Sequence, residues 1–368
     1  MRAVPATTCR GRRAVAIEND ELRVAVLPDG GHIAEVLDKR TGINPLWSPP
    51  WVPIEPSAFD AAAHAELFGR GSDARLLAGI AGHNLCLDIF GGPSDDEAAA
   101  GITAHGEGSV AMYEISESGR AVYMRAHFPL ARIDFERRLE LVGAAVQIDE
   151  RVESRCDVDR PIGWTQHVTL GPPFLERGVT EFRASATRSR TYEGQFGVAD
   201  YLEAAASFDW PAAPRIGGSV ADMRRFTEAA VSSAYSAHLM AADRDTAFFV
   251  AFSPHAALAF GYVWHPADFP WLGIWEENCS RSAAPWDGRT VARGMEFGVS
   301  PFPESRRAMV QRSTLFDVPT FRWLPARGIL TARYAIVLEA TDRVPESLEW
   351  PDRIPAAVGL SRGPAGQS

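Results

Sequence analysis

Three stretches of this 368-residue chain set titratable side chains among glycines and aromatics, where a ligand could come close to the backbone. The first, Gly101-Ile102-Thr103-Ala104-His105-Gly106-Glu107-Gly108, brackets a histidine and a glutamate with glycine. In the second, Gly163-Trp164-Thr165-Gln166-His167-Val168-Thr169-Leu170-Gly171-Pro172, a histidine follows a tryptophan on what should be a strand entering a proline turn. The third joins Trp271-Leu272-Gly273-Ile274-Trp275-Glu276-Glu277-Asn278 to Arg293-Gly294-Met295-Glu296-Phe297-Gly298. A carboxylate and an imidazole with pKa values near neutrality are what general acid–base catalysis requires, and tryptophan rings can stack on the apolar face of a sugar. Each residue also has a plainer use. A strand histidine is more often a hydrogen-bonded structural group, Glu296 could face solvent, and Glu276-Glu277 reads as an exposed acidic turn. Trp164, Trp271 and Trp275 could all be core, and His83, Asn84 and Asp88, near Gly91-Gly92, could be turn residues. On spacing alone the chain is a large β-protein with a possible polar cleft.

The elements that would position these residues are strands. Ala14 to Ile17, Leu22 to Leu27 and His32 to Leu37 are β-favouring runs, with Asn19-Asp20 and Pro28-Asp29-Gly30-Gly31 as turns. Four more, Val110 to Tyr113, Ala121 to Met124, Ile133 to Leu139 and Val146 to Ile148, form a meander. Thr246 to Phe252, Leu258 to Val263 and Leu330 to Leu338 continue it. Helical periodicity is confined to Asp60 to Leu67 and Val220 to Ala237, which read as insertions, the second peripheral. Pro45 to Pro56 reads as an extended loop bringing Trp47 and Trp51 to a pocket or core. The expected fold is all-β, a large antiparallel β-sandwich of one domain over residues 1–350, with a flexible tail at 351–368.

Composition narrows the function. A net charge of −10 argues against nucleic-acid or anionic-membrane partners, which need clustered positive charge. Lys39 is the only lysine, so a Schiff base could form nowhere else. Cys9, Cys86, Cys156 and Cys279 are scattered without the paired spacing of a zinc site, and reduced thiols are expected. No apolar signal segment opens the chain and no run is long enough for a membrane helix, so a cytoplasmic protein is expected.

Together the segments resemble the galactose mutarotase-like superfamily, which includes aldose 1-epimerases and hexose-6-phosphate mutarotases. The opening IENDELRVAVLPDGGHIAEVLDKRTGINPLW looks like that family's start. His105 in AHGEG resembles its first catalytic histidine and His167 in WTQHVTLGPPFL its second. WLGIW followed by RGMEFG resembles its late pair of strands and assigns the catalytic glutamate to Glu296. The resemblance implies the family's supersandwich and a carbohydrate substrate. It implies Glu296 as base, His167 as acid and His105 polarising an oxygen, in a monomer or homodimer that needs no metal or organic cofactor. Substrate contacts are expected from Trp164, Trp271, Trp275 and Glu107. Asn84 and Arg70 are the candidates for the polar residue the family carries before its first histidine, which has no obvious counterpart here. Two other functions fit the same fold. One is a catalytically silent sugar-binding module. The other is a glycoside hydrolase or lyase; hydrolysis would need a second carboxylate, Glu107 or Glu276, beside Glu296.

Overall fold

The structure, a computed structural model, describes residues 7–351. Its strands form two large antiparallel sheets. The first runs, in spatial order, through Thr7–Cys9, Arg12–Glu18, Leu22–Val26, Ile33–Asp38, His83–Asp88, Arg160–Leu170, Val291–Gly298, Trp271–Asn278, Ser232–Met240, Ala186–Thr191 and Ser207–Asp209. Arg322–Leu324 pairs as a side branch with the first residues of Arg160–Leu170. The second runs through Glu181–Ala184, Ala247–Ser253, Leu258–Trp264, Ile329–Ala340, Ala145–Ser154, Ile133–Val142, Ala121–Phe128 and Glu114–Ser118.

Period-two alternation builds the space between them. In Ile133–Val142 the buried positions are Ile133, Phe135, Arg137, Leu139 and Leu141, and the residues between them are half-buried. Ile162, Trp164, Val168 and Leu170 of the first sheet share one core with Phe135, Leu139, Ile148 and Val152 of the second.

The strands at the middle of the first sheet depart from this alternation. Every residue of His83–Asp88 and Trp271–Asn278 is buried, and so is nearly all of Arg160–Leu170 and Val291–Gly298. Their inner face packs on the second sheet. Their outer face lies under a second apolar layer drawn from loops, with Trp47, Trp51, Phe68, Leu77, Trp286 and Phe302. A polar side chain on that outer face is therefore held in a nearly dry environment, and the candidate site lies there.

Two expected elements differ. Val220 to Ala237 is not a helix. It contains the short strand Val220–Asp222, a loop, and most of the strand Ser232–Met240. The Ala- and Ser-rich segment has a helical pattern, but pairing with Trp271–Asn278 and Ala186–Thr191 overrides local propensity. Nor is it all peripheral, since Tyr235 and Ala237 lie in the outer-face layer. Val110 to Tyr113 is a turn rather than a strand, joined to the sheet only by a bridge from Met112 to Asp29. Asp60 to Leu67 contributes turns and the short helix Ala65–Phe68. The expected tail falls, from residue 352 onward, outside the described residues.

Candidate functional site

Cross-strand register brings distant residues into one row. Asn84 lies beside His167, His167 beside Glu296, and Glu296 beside Gly273. Cross-strand partners share a face, so one row places an amide, an imidazole and a carboxylate side by side on the outer face. The Glu296 carboxylate rests on glycines. A Cβ at Gly294 would stand 2.4 Å from Glu296 Oε1, and one at Gly273 would stand 3.4 Å from Oε2 and 2.1 Å from the Tyr235 hydroxyl. The glycines of RGMEFG and WLGIW thus clear the surface on which the carboxylate lies.

His105 arrives from a loop laid against the end of the His83–Asp88 strand. Its N–H donates to Gly91 O at 3.0 Å, and its carbonyl accepts from Leu87 N at 3.1 Å. Close approach dictates the next residue, because a Cβ at Gly106 would sit 2.3 Å from Leu87 O at a φ of 72°. The ring of His105 then lies 4.7 Å from that of His167, centroid to centroid.

The contacts within the site are few. His167 Nε2 and Glu296 Oε1 are 3.0 Å apart. The Asn84 amide stands between the two imidazoles, with Oδ1 3.4 Å from His105 Nδ1 and Nδ2 3.4 Å from His167 Nδ1. Ser109 Oγ reaches Asn84 Oδ1 at 2.9 Å, and Thr169 Oγ1 lies 3.2 Å from His167 Nδ1. Trp275 closes one side, its ring 6.0 Å from His167 and 6.1 Å from Trp286. Arg281 lies over both tryptophans and is held by Glu277, 3.4 Å away. Glu296 is 2% exposed and His167 5%, whereas His105 is only half-buried.

Burial sets the electrostatics. It pushes the Glu296 carboxyl well above the usual range, and it pulls His167 down to about 4 and His105 well below its ordinary value. Each group is driven towards its neutral form, while the 3.0 Å contact favours a proton passed from carboxyl to imidazole. Both arrangements hold one proton between the two groups. The Thr169 hydroxyl can donate to Nδ1 or accept from it, whereas the Asn84 Nδ2 beside the same nitrogen can only donate.

The other expected residues lie elsewhere. Trp164 is fully buried on the inner face and donates Nε1–H to Glu150 Oε2 at 2.9 Å. It stands three residues from His167, and on a strand an odd separation means opposite faces. Trp271 is fully buried and donates to Pro319 O at 3.0 Å. Glu107 accepts from Ala131 N at 2.7 Å and braces its loop rather than meeting the trio. Arg70 is exposed, near Glu66 at 3.9 Å. Glu276 is no acidic turn: it is buried, with Ser232 Oγ at 2.9 Å and the Tyr201 hydroxyl at 3.3 Å. Glu277 binds Ser280 and Arg281. Sequence reasoning passed over Ser109, Thr169, Tyr235 and Trp286. Thr169 alone had a local signal, two residues after His167 on the same strand face. Among the described residues no group of His, Cys, Asp and Glu is arranged to hold a metal, and no helix is long and apolar enough to cross a membrane.

No protein-family model matches the chain, and no curated protein matches it in sequence. Solved structures do match in fold. One is a Klebsiella pneumoniae protein assigned only provisionally as an aldose 1-epimerase. It has a TM-score of 0.63 at 13% identity over 90% of this chain and 80% of that one. A galactose mutarotase-like protein from Clostridium acetobutylicum gives 0.58 at 11% identity, covering 91% and 98%. An aldose epimerase homologue from C. elegans gives 0.55 at 11%, covering 89% and 99%. At such identities the likeness concerns architecture, and the chain has the galactose mutarotase-like fold.

Proposed function

We propose that the protein interconverts the anomers of a hexose or hexose derivative, with Glu296 and His167 as the acid–base pair. The observation that carries this reading is the buried 3.0 Å contact between them, beneath the half-buried His105. Mutarotation needs one group to take a proton from the anomeric hydroxyl and another to give one to the ring oxygen. In the ion-paired form, the Glu296 carboxylate accepts the hydroxyl proton as His167 Nε2 delivers its own to the ring oxygen. The bond between the anomeric carbon and the ring oxygen breaks, leaving the open aldehyde, a protonated Glu296 and a neutral His167. This is the other arrangement of the shared proton, and it is the one burial favours. After rotation about one bond the transfers reverse and the ring closes as the other anomer. His105 orients an oxygen, Trp275 packs on the sugar face, and Asn84 aligns both imidazoles. A raised carboxyl pKa suits Glu296 to this work, because a base is most effective with a pKa near the working pH.

Nothing favours a hydrolase or lyase over this. A hydrolase needs a second carboxylate facing the same bond, whereas Glu107 is engaged with Ala131, and Glu276 with Ser232 and Tyr201. A silent sugar-binding module is separated by rate. Polarimetry of freshly dissolved α-D-glucose and α-D-galactose, with and without protein, should show equilibration accelerated in proportion to protein concentration. Uncatalysed rates throughout a panel of neutral, phosphorylated and oxidised hexoses, alongside measurable binding, would establish the silent module instead.

A further inference from the structure

A cavity lies apart from the histidines, at the loop between the strands Val220–Asp222 and Ser232–Met240. Its volume is about 320 Å³, within the range of small-molecule sites. Its lining includes Tyr201, Arg215, Arg225, Phe226, Thr227 and Glu228. The Arg215 guanidinium lies 4.8 Å from the Tyr201 ring centroid, and among the described residues no carboxylate comes within 4.0 Å of it. The other charges of the wall are partly engaged. Asp222 is matched by Arg224 at 2.8 Å, and Arg225 reaches Glu181 only at 3.5 Å.

The floor is built rather than incidental. The Tyr201 hydroxyl donates to the buried Glu276, which Ser232 also holds. The buried guanidinium of Arg293 donates to the carbonyls of Met223 and Arg225 at 2.7 and 2.9 Å, which pins the cavity wall to the first sheet. Arg293 Nε is left without a partner.

A half-buried arginine stacked on a tyrosine presents a planar donor fork that matches a carboxylate. The ring face of Tyr201, the Thr227 hydroxyl and the unpaired Glu228 suit the rest of a hydroxylated ring. We propose that this cavity is a second ligand site, for a carboxylate-bearing monosaccharide of the hexuronate class. The carboxylate lies on Arg215, with Arg225 swinging from Glu181 to join it, and the sugar hydroxyls meet Thr227 and Glu228. The proposal does not depend on what the His167–Glu296 centre does.

The test is calorimetric titration of the full chain with D-glucuronate, D-glucose and inorganic phosphate, together with amide chemical-shift mapping. D-Glucuronate should bind in preference to both others and shift resonances in residues 220–229. Arg215→Ala should weaken it about tenfold or more, the loss expected for a charge-assisted pair, and Arg215→Lys should recover part of that. Glu296→Gln should leave this binding intact, which separates it from any sugar bound beside His167. Equal affinity of wild type and Arg215→Ala would overturn the proposal, as would binding abolished by Glu296→Gln. Should Arg215→Ala fail to fold, the wild-type shift map decides, and shifts confined to residues around His167, or none at all, would overturn it. Phosphate binding as tightly as glucuronate would replace the sugar acid with a simple anion site and overturn the assigned class.

Discussion

Two buried carboxylates on neighbouring strands lie against the two faces of the strand Arg160–Leu170, in opposite circumstances. On the inner face Glu150 accepts four hydrogen bonds, from Arg137 Nε, Gln166 Nε2, Trp164 Nε1 and the Tyr334 hydroxyl, at 2.7 to 2.9 Å. Gln166 and His83 extend that network to Tyr262. On the outer face Glu296, equally buried at 2%, has among the described residues one ion-pair or side-chain hydrogen-bond partner, His167. A buried carboxylate with a guanidinium and three further donors is held as structure. One with a single imidazole keeps an unmet demand that a ligand can answer. Burial alone would not have separated the two, whereas the number of partners does.

The comparison breaks most visibly at Glu150. Glu150→Gln leaves the Arg137 guanidinium buried without its counter-charge and should cost about 3–5 kcal/mol of stability, read from denaturant midpoints. Anomer exchange per folded molecule should barely change. If Glu150→Gln were harmless to stability, the inner network would not be the structural member of the pair.

Next in size is acid sensitivity. Burial holds both His32 and His238 at about 3, so they stay neutral in the folded protein. In the unfolded chain they take protons near pH 6.5. A depressed folded pKa means stability that is present above the unfolded value and lost as pH falls through the window towards the folded one. Each should cost about 2 kcal/mol between pH 7 and pH 5, visible as a falling Tm, and His238→Gln should remove part of the slope. Glu296 runs the other way. Its raised carboxyl favours the fold most at low pH and loses that contribution as pH rises above the ordinary carboxyl range, so Glu296→Gln should flatten the loss of stability above that range.

Asn84 sharpens the contrast within the outer face. Removing its amide in Asn84→Ala frees both imidazoles and should lower kcat about tenfold while shifting the pH profile of kcat. A change confined to stability, with the profile unmoved, would make Asn84 merely structural. The smallest effects belong to Glu107→Gln and Glu277→Gln, whose carboxylates serve loops, and exchange should stay within about threefold of wild type.

Much of the site was legible in the sequence, for physical reasons. Glycines beside His105 and Glu296 mark close backbone approach, and the resemblance carried the order of the three residues. The face of Trp164 was legible too, since an odd separation from His167 on a strand decides it, and crediting it to the site overlooked that rule. The inner network could have been read from the hairpin register, which sets Arg137 opposite Glu150 across the turn after Val142. What local sequence could not supply is pairing between distant segments. Tyr235 sits over Gly273 only because Ser232–Met240 pairs with Trp271–Asn278, against a helical pattern.

The most direct measurement is the rate of anomer exchange, by polarimetry or magnetisation transfer, for wild type and Glu296→Gln at equal concentrations of folded protein. Glutamine preserves shape and leaves no base, so exchange should fall on the order of 10²-fold or more, with sugar affinity near wild type and Tm no lower at neutral pH. Exchange that survives Glu296→Gln at the wild-type rate would contradict the assignment of Glu296 and His167 as the acid–base pair.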